Sequence, residues 1–139
     1  MCYWRTLSWK VKICKLSKQL FCLFVICLRS VDLVYGHSAH VFQGIEVYRQ
    51  RPILYDTGDF LDDYAIDAKL RNDWSFVFLL DVEGARMQRL RLRPVRLTYA
   101  EVNFAAGDEL EAIRRRMRAL CGEFLTPMED TEEGLEITF

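Results

Sequence analysis

The apolar and polar positions alternate in several registers along this chain, and each register predicts an element. Leu33 to Tyr35 is a short apolar run that ends in Gly36, which reads as a buried strand over 31–36 followed by a turn. Ile45 to Tyr48 and Pro52 to Tyr55 are two further short runs joined by Arg49-Gln50-Arg51, the pattern of a hairpin. Pro52 suits the first residue of its strand, because it has no N–H to give to a ladder. Trp74 to Val82 is the strongest strand signal, rich in Phe, Val and Leu, and Glu83-Gly84 makes its turn. Met87 to Leu97 returns with strict alternation, Leu90 and Leu92 on one face and Arg89, Arg91 and Arg93 on the other. Pro94 breaks the phase, after which Val95, Leu97 and Tyr99 take the apolar positions, as a β-bulge or edge kink would produce.

The period then changes from two to 3.6. Leu110, Ile113, Met117, Leu120, Cys121 and Phe124 recur at spacings of three and four, which predicts one long helix over 108–124 with a single core-facing stripe. Asp108 is the expected N-cap with Glu111 three positions on, and Glu111 is placed to pair with Arg115. Gly122 and Pro127 mark the end, and Leu135 to Phe139 predicts a short final strand. No internal repeat is evident.

Composition adds a seam to this picture. The chain has 139 residues and a net charge of −1, which fits one globular domain and excludes a disordered or strongly nucleic-acid-binding chain. Residues 1–30, however, hold six basic residues and no acid, a charge of +6, whereas the remainder holds 13 basic and 20 acidic residues, a charge of −7. Four of the five lysines and four of the five cysteines (Cys2, Cys14, Cys22, Cys27) precede position 31, and arginine replaces lysine almost completely after it. Such a switch reflects nucleotide composition or reading frame more readily than function. The expected division is therefore a basic, apolar leader over 1–30, unrelated or out of frame, and a domain over 31–139.

Within the leader, Leu20 to Leu28 is a run of nine apolar residues. It is well short of the ~20 residues that span a bilayer and reads as a buried helix or strand, with a degenerate membrane anchor as the sharper alternative. The leader cysteines form no C-x-x-C pair and read as free thiols, while Cys121 reads as a small core residue.

Candidate chemistry centres on His37 and His40, the two histidines of the chain, three positions apart at the carboxyl end of the 31–36 strand. Neutral imidazole is the commonest metal-binding side chain, and two in a tight loop can converge on a metal or a phosphate oxygen. The bland reading is a pair of loop residues satisfied by nearby backbone. Asp59, Asp62 and Asp63 follow a glycine turn and could supply a general base or metal ligands, or form an acidic surface loop. The arginines at 89, 91, 93 and 96 could bind an anion but read more simply as the solvated face of an antiparallel strand, and the helix cluster Arg114, Arg115, Arg116 and Arg118 reads as a solvated face balanced by Glu109 and Glu111. No aromatic interleaving supports nucleic-acid binding.

The run Asp32-Leu-Val-Tyr-Gly-His-Ser-Ala-His-Val-Phe-Gln-Gly-Ile-Glu-Val-Tyr48, followed by Arg51-Pro-Ile-Leu-Tyr-Asp-Thr-Gly-Asp-Phe60, resembles the poly-γ-glutamate capsule biosynthesis proteins of the CapA type, in the calcineurin-like metallophosphatase superfamily. The resemblance covers 31–139. It implies an α/β (α+β) fold, the C-terminal part of a metallophosphoesterase-like αββα sandwich with mostly antiparallel C-terminal strands and one long helix. It assigns His37 and His40 to the last metal-ligand segment, makes Asp59 a candidate catalytic residue where many relatives carry asparagine, and implies divalent metal ions (Mn, Fe, Zn or Mg) and a phosphate-containing or polyglutamate-related substrate, in a bacterial cytoplasmic or membrane-associated setting. The upstream Asp-x-His, Gly-Asp-x-x-Asp/Glu and Asn-His segments of such sites have no counterpart in this sequence. The expectation is a truncated, inactive portion of such a protein, with a small non-catalytic binding or membrane-associated module as the alternative.

Overall fold

The computed structural model describes residues 3–8, 11–16, 31–61 and 66–139. Among them it contains two sheets and one helix, a mixed α/β architecture with mostly antiparallel pairing. The first sheet has the order β1 (Tyr3–Ser8), β2 (Val11–Leu16), β3 (Leu33–Gly36), β5 (Arg51–Leu54), β4 (Ile45–Tyr48). β2, β3 and β5 run parallel, and β1 and β4 are antiparallel to their neighbours. The apolar run Leu20 to Leu28 and the cysteines Cys2, Cys22 and Cys27 lie outside the described residues.

The hairpin expected at 45–55 is present with a tighter turn. Tyr48 pairs with Arg51, so only Arg49 and Gln50 lie in the loop. Both have positive φ, 51° and 62°, the I′ geometry whose twist matches that of the flanking strands. Pro52 is the second residue of β5 rather than the first; it faces Val47 of β4, and the β3 pairing begins only at Ile53. Its missing N–H therefore removes no bond from the β3 ladder.

The second sheet has the order β6 (Trp74–Glu83), β7 (Arg86–Thr98), β10 (Leu135–Thr138), β9 (Glu129–Asp130), and β8 (Glu101–Phe104) also pairs with β7. The phase change at Pro94 has a different cause from the expected bulge. β6 and β7 stay in register across Phe76 and Pro94, and the one shift falls between Asp81 and Val82. Pro94 instead stands where β7 changes its second partner, from β10 along Arg89–Leu92 to β8 along Val95–Thr98. A residue with no N–H is tolerated at such a gap between partners. Tyr99, expected at an apolar position, lies in the β7–β8 turn and is 79% exposed.

The helix α1 (Gly107–Gly122) buries Ile113, Met117 and Cys121, as the three-and-four spacing requires. They join Phe42, Ile45 and Leu54 from the first sheet side and Phe76, Leu90, Leu92, Leu135 and Ile137 from the second in one core. Cys121 is fully buried and its Sγ accepts the Ile45 N–H at 3.3 Å; burial pushes its thiol up in pKa.

Four expectations about the helix fail, the first at Phe124, which the spacing puts on the core-facing stripe but which lies beyond the helix end at Gly122 and is 36% exposed. The N-cap is Ala106, with no side-chain cap, so Asp108 acts within the first turn, where a carboxylate complements the helix dipole. Glu111 pairs with Arg114 at 2.9 Å rather than with Arg115. Arg114 is not on a solvated face: it is 8% exposed, and its Nη2 donates to the carbonyls of Thr131 and Glu132. Arg116 leaves the solvated face too, donating to the Leu70 carbonyl at 2.7 Å and lying over the Phe42 ring. Arg89, Arg91, Arg93 and Arg96 do form an outward stripe, matched by Asp81, Glu133, Asp73 and Glu109.

Candidate functional site

β3 ends at Gly36, and the chain turns at once into the histidine loop. This turn depends on the absence of a side chain at Gly36, where a Cβ would meet the Tyr55 backbone. The Gly36 carbonyl accepts both the N–H and the hydroxyl of Thr57, at 3.1 and 3.2 Å. The strand end and the 55–59 turn are therefore laced together before either histidine is reached.

The loop itself is bent sharply. Ser38 has φ 131° and His40 φ 62°, and histidine is among the residues enriched in this left-handed region. Val41 and the fully buried Phe42 then anchor it, Phe42 meeting the Phe76 ring edge-on at 4.9 Å and bridging to Thr57. The effect is a pair of exposed imidazoles on a stalk fixed at both ends.

Asp56 supplies the cross-brace. It is 7% exposed; Oδ2 accepts the Ala39 N–H and Oδ1 accepts the Gly58 N–H, both at 2.9 Å. One carboxylate thus joins the histidine loop to the 55–59 turn. Gly58, at φ 69° and with the Phe42 nitrogen 2.9 Å from where a Cβ would stand, lets that turn come close. Asp59 is carried under the loop by this arrangement.

The sequence candidates divide as follows. His40 and Asp59 come together: the His40 Nδ1 lies 3.0 Å from Asp59 Oδ2 and 3.2 Å from Oδ1, with the imidazole 60% exposed and the carboxylate 8% exposed. Asp59 is thus a buried partner of the loop and not part of an acidic surface. His37 shares the loop and is exposed. Asp62 and Asp63 lie outside the described residues. Asp56 was absent from the candidates, because Asp-Thr-Gly reads locally as turn chemistry. The sequence signal that could have found it is a second carboxylate three positions before Asp59.

A carboxylate only accepts hydrogen bonds, so Nδ1 of His40 carries the proton and the lone pair of the neutral ring sits on Nε2. This is the arrangement in which a carboxylate orients a metal-binding histidine. The divalent metal implied by the resemblance fits these residues in part. His37 and His40 are suitable donors, yet among the described residues no group of three or more His, Cys, Asp or Glu side chains is placed to hold a metal ion. Also among the described residues, no helix is long and apolar enough to cross a membrane.

Comparison with known proteins places these features in context. The family model described as bacterial capsule synthesis protein PGA_cap matches residues 17–64, a stretch that begins ahead of Val31 and includes the histidine loop, the β4–β5 hairpin, Asp56 and Asp59. Over 99 residues the chain is 29% identical to a probable polyglutamine synthesis accessory protein from each of two strains of Mycobacterium tuberculosis. That alignment covers 68% of this chain and 26% of each relative, so the chain spans about a quarter of the length of the curated relatives it matches. These matches bear out the resemblance carried by Asp32 to Phe60.

Proposed function

We propose, starting from the chain's likeness to the C-terminal portion of CapA-type capsule synthesis proteins, that it carries the histidine-loop share of a metal-dependent, phosphoesterase-like site used in capsule-type or poly-γ-glutamate synthesis. The observation that carries this reading is the His40–Asp59 pair, an exposed imidazole whose Nδ1 is held by a buried carboxylate. His37 and His40 act as imidazole ligands, and Asp59 fixes the tautomer and orientation of His40 rather than touching substrate. Two nitrogen donors suit Zn, Mn or Fe better than Mg, which takes oxygen ligands. Bound there, the metal would supply Lewis-acid activation of a phosphate-containing or polyglutamate-related substrate.

On this reading the two sheets and the helix are the C-terminal part of the αββα sandwich. Dinuclear hydrolysis requires several carboxylates and imidazoles around the metals. The described residues bring two imidazoles, so the chain by itself is catalytically silent and binds one metal ion weakly.

Calorimetric titration of the chain with Zn²⁺ or Mn²⁺ tests this. Saturable binding is expected, abolished in the His37→Ala/His40→Ala double variant and weakened roughly 10–100-fold by Asp59→Asn, the usual cost of removing such an orienting partner. Undiminished binding in the double variant would overturn the assignment, and turnover of p-nitrophenyl phosphate by the chain alone would overturn its silence.

A further inference from the structure

At the end of the first sheet away from the histidine loop, a cavity of about 560 Å³ opens between two hairpin tips. The β4–β5 turn contributes Arg49 and Arg51, the β6–β7 turn contributes Arg86, and Asp32 stands on the rim. Met87, largely buried, and Phe139 give it apolar wall. Asp32 precedes β3 whereas His37 follows it, and β3 runs parallel to β5, so the two sites occupy opposite ends of these strands. The volume falls in the range of roughly 300–1,000 Å³ typical of small-molecule sites.

Two observations distinguish this cavity from the arginine-rich surface elsewhere. The first is charge matching. On the β7 stripe, Arg89 and Arg91 meet Asp81, Arg93 meets Glu133, and Arg96 reaches Asp73 and Glu109. Around the cavity the matching is sparser among the described residues. Arg51 lies at 4.0 Å from Asp32, while neither Arg49 nor Arg86 forms an ion pair among the described residues. Arg49, Arg51 and Arg86 thus line the cavity together with Asp32 and Phe139. The second is the turn chemistry. A I′ turn favours Asn-Gly, because a left-handed side chain costs roughly 1–2 kcal/mol. This chain places Arg49 and Gln50 there at φ 51° and 62°, and both residues line the cavity. Arg49 also lies over the Tyr48 ring, 5.3 Å from its centroid, so the turn holds a guanidinium group at the cavity lining.

We infer that the cavity framed by Arg49, Arg51 and Arg86 is a binding site for a small organic polyanion, one whose carboxylate or phosphate groups take the guanidinium forks and whose hydrocarbon body lies against Met87 and Phe139. Guanidinium presents paired N–H donors that match either oxyanion, and the apolar wall favours a ligand with some carbon skeleton over a bare ion. The site is independent of the histidine loop and of any metal there.

Calorimetric titration of the full chain at low ionic strength with citrate, and separately with pyrophosphate, tests the site. Saturable binding is expected, tighter for citrate if the natural ligand is a carboxylate and tighter for pyrophosphate if it is a phosphate ester. The Arg49→Asn/Arg86→Gln double variant should weaken it at least about tenfold, the equivalent of one charged hydrogen bond lost. Asn is favoured in the I′ turn, so Arg49→Asn should leave the thermal melt unchanged or raised, separating lost binding from lost folding. Arg115→Gln, an exposed helix arginine away from the cavity, should leave binding unaltered. Absence of saturable binding for both probes, or an equal loss in Arg115→Gln, would overturn the inference.

Discussion

Gly36 and Tyr55 approach so closely that a Cβ on Gly36 would stand 1.9 Å from the Tyr55 carbonyl oxygen. The contact is backbone on both sides, so no side chain can swing away to relieve it. It sits where β3 hands over to the histidine loop, and Thr57 closes it with two bonds to the Gly36 carbonyl. The Gly36→Ala variant is therefore expected to lose about 3 kcal/mol of stability, at the upper end for overpacking. Urea denaturation of the two proteins checks it, and an unchanged midpoint would show that the β3–Tyr55 approach is softer than this contact requires.

Asp56 acts on the site through position alone. Its two oxygens satisfy N–H groups on two different loops, Ala39 and Gly58. Asp56→Ala leaves both donors without this partner and is expected to cost roughly 2–4 kcal/mol; Asp56→Asn keeps one acceptor and should cost roughly half as much. A generic loss of stability would slow or speed all amides together. The specific expectation is faster hydrogen exchange at Ala39 and Gly58 in Asp56→Asn under conditions where β7 remains protected. Uniform protection across the two loops would remove Asp56 from its bracing role.

These two cases show which parts of the molecule local pattern can carry. The β4–β5 hairpin, the β6–β7 hairpin, α1 and β10 were legible because period-two or 3.6-residue spacing is a local property, written in Leu90 and Leu92 or in Ile113, Met117 and Cys121. The His40–Asp59 pair was legible only as two separate candidates, since nineteen positions separate them and folding alone brings them to 3.0 Å. Arg114 was misread as surface because it sits in an arginine run, although it lies three positions before Met117 on the buried side of the helix. Its charge is accommodated by Glu111 and by carbonyls of the 131–132 turn, partners that no helical periodicity could indicate.

The end of α1 carries removable strain. Leu125 has φ 55° and is 90% exposed, so it holds a left-handed conformation without burying its side chain in return. Thr126 N–H closes the turn on the Cys121 carbonyl at 3.1 Å, the six-residue bond of a helix-terminating motif that favours glycine at the intervening position. Leu125→Gly relieves the steric cost and gives back part of it as added chain entropy in the unfolded state, for a net gain of about 0.5–1 kcal/mol. A higher urea midpoint at unchanged slope is the expected result. A lower midpoint would mean that Leu125 makes a stabilising contact that its exposure does not show.

Tyr55 should make the fold sensitive to alkali. Its hydroxyl donates to Glu46 Oε2 at 2.6 Å and its ring stacks on Phe124 at 4.9 Å. Burial first, and then the hydrogen bond to the Glu46 carboxylate, raise its pKa well above the ordinary value near 10. The folded state therefore keeps this proton at a pH where the unfolded chain has given it up. The associated stability is fully present below about pH 10 and is lost as pH rises toward the folded-state pKa. The Tyr55→Phe variant lacks both the bond and the titration. It should be less stable than the wild type by about 1 kcal/mol at pH 7, and the gap should narrow steadily above pH 10. Cys121 and the other titrating groups are common to both proteins, so the difference between their stability curves isolates the tyrosine. A gap that stays constant from pH 7 to about pH 11 would show that the Tyr55 proton is held no more tightly folded than unfolded.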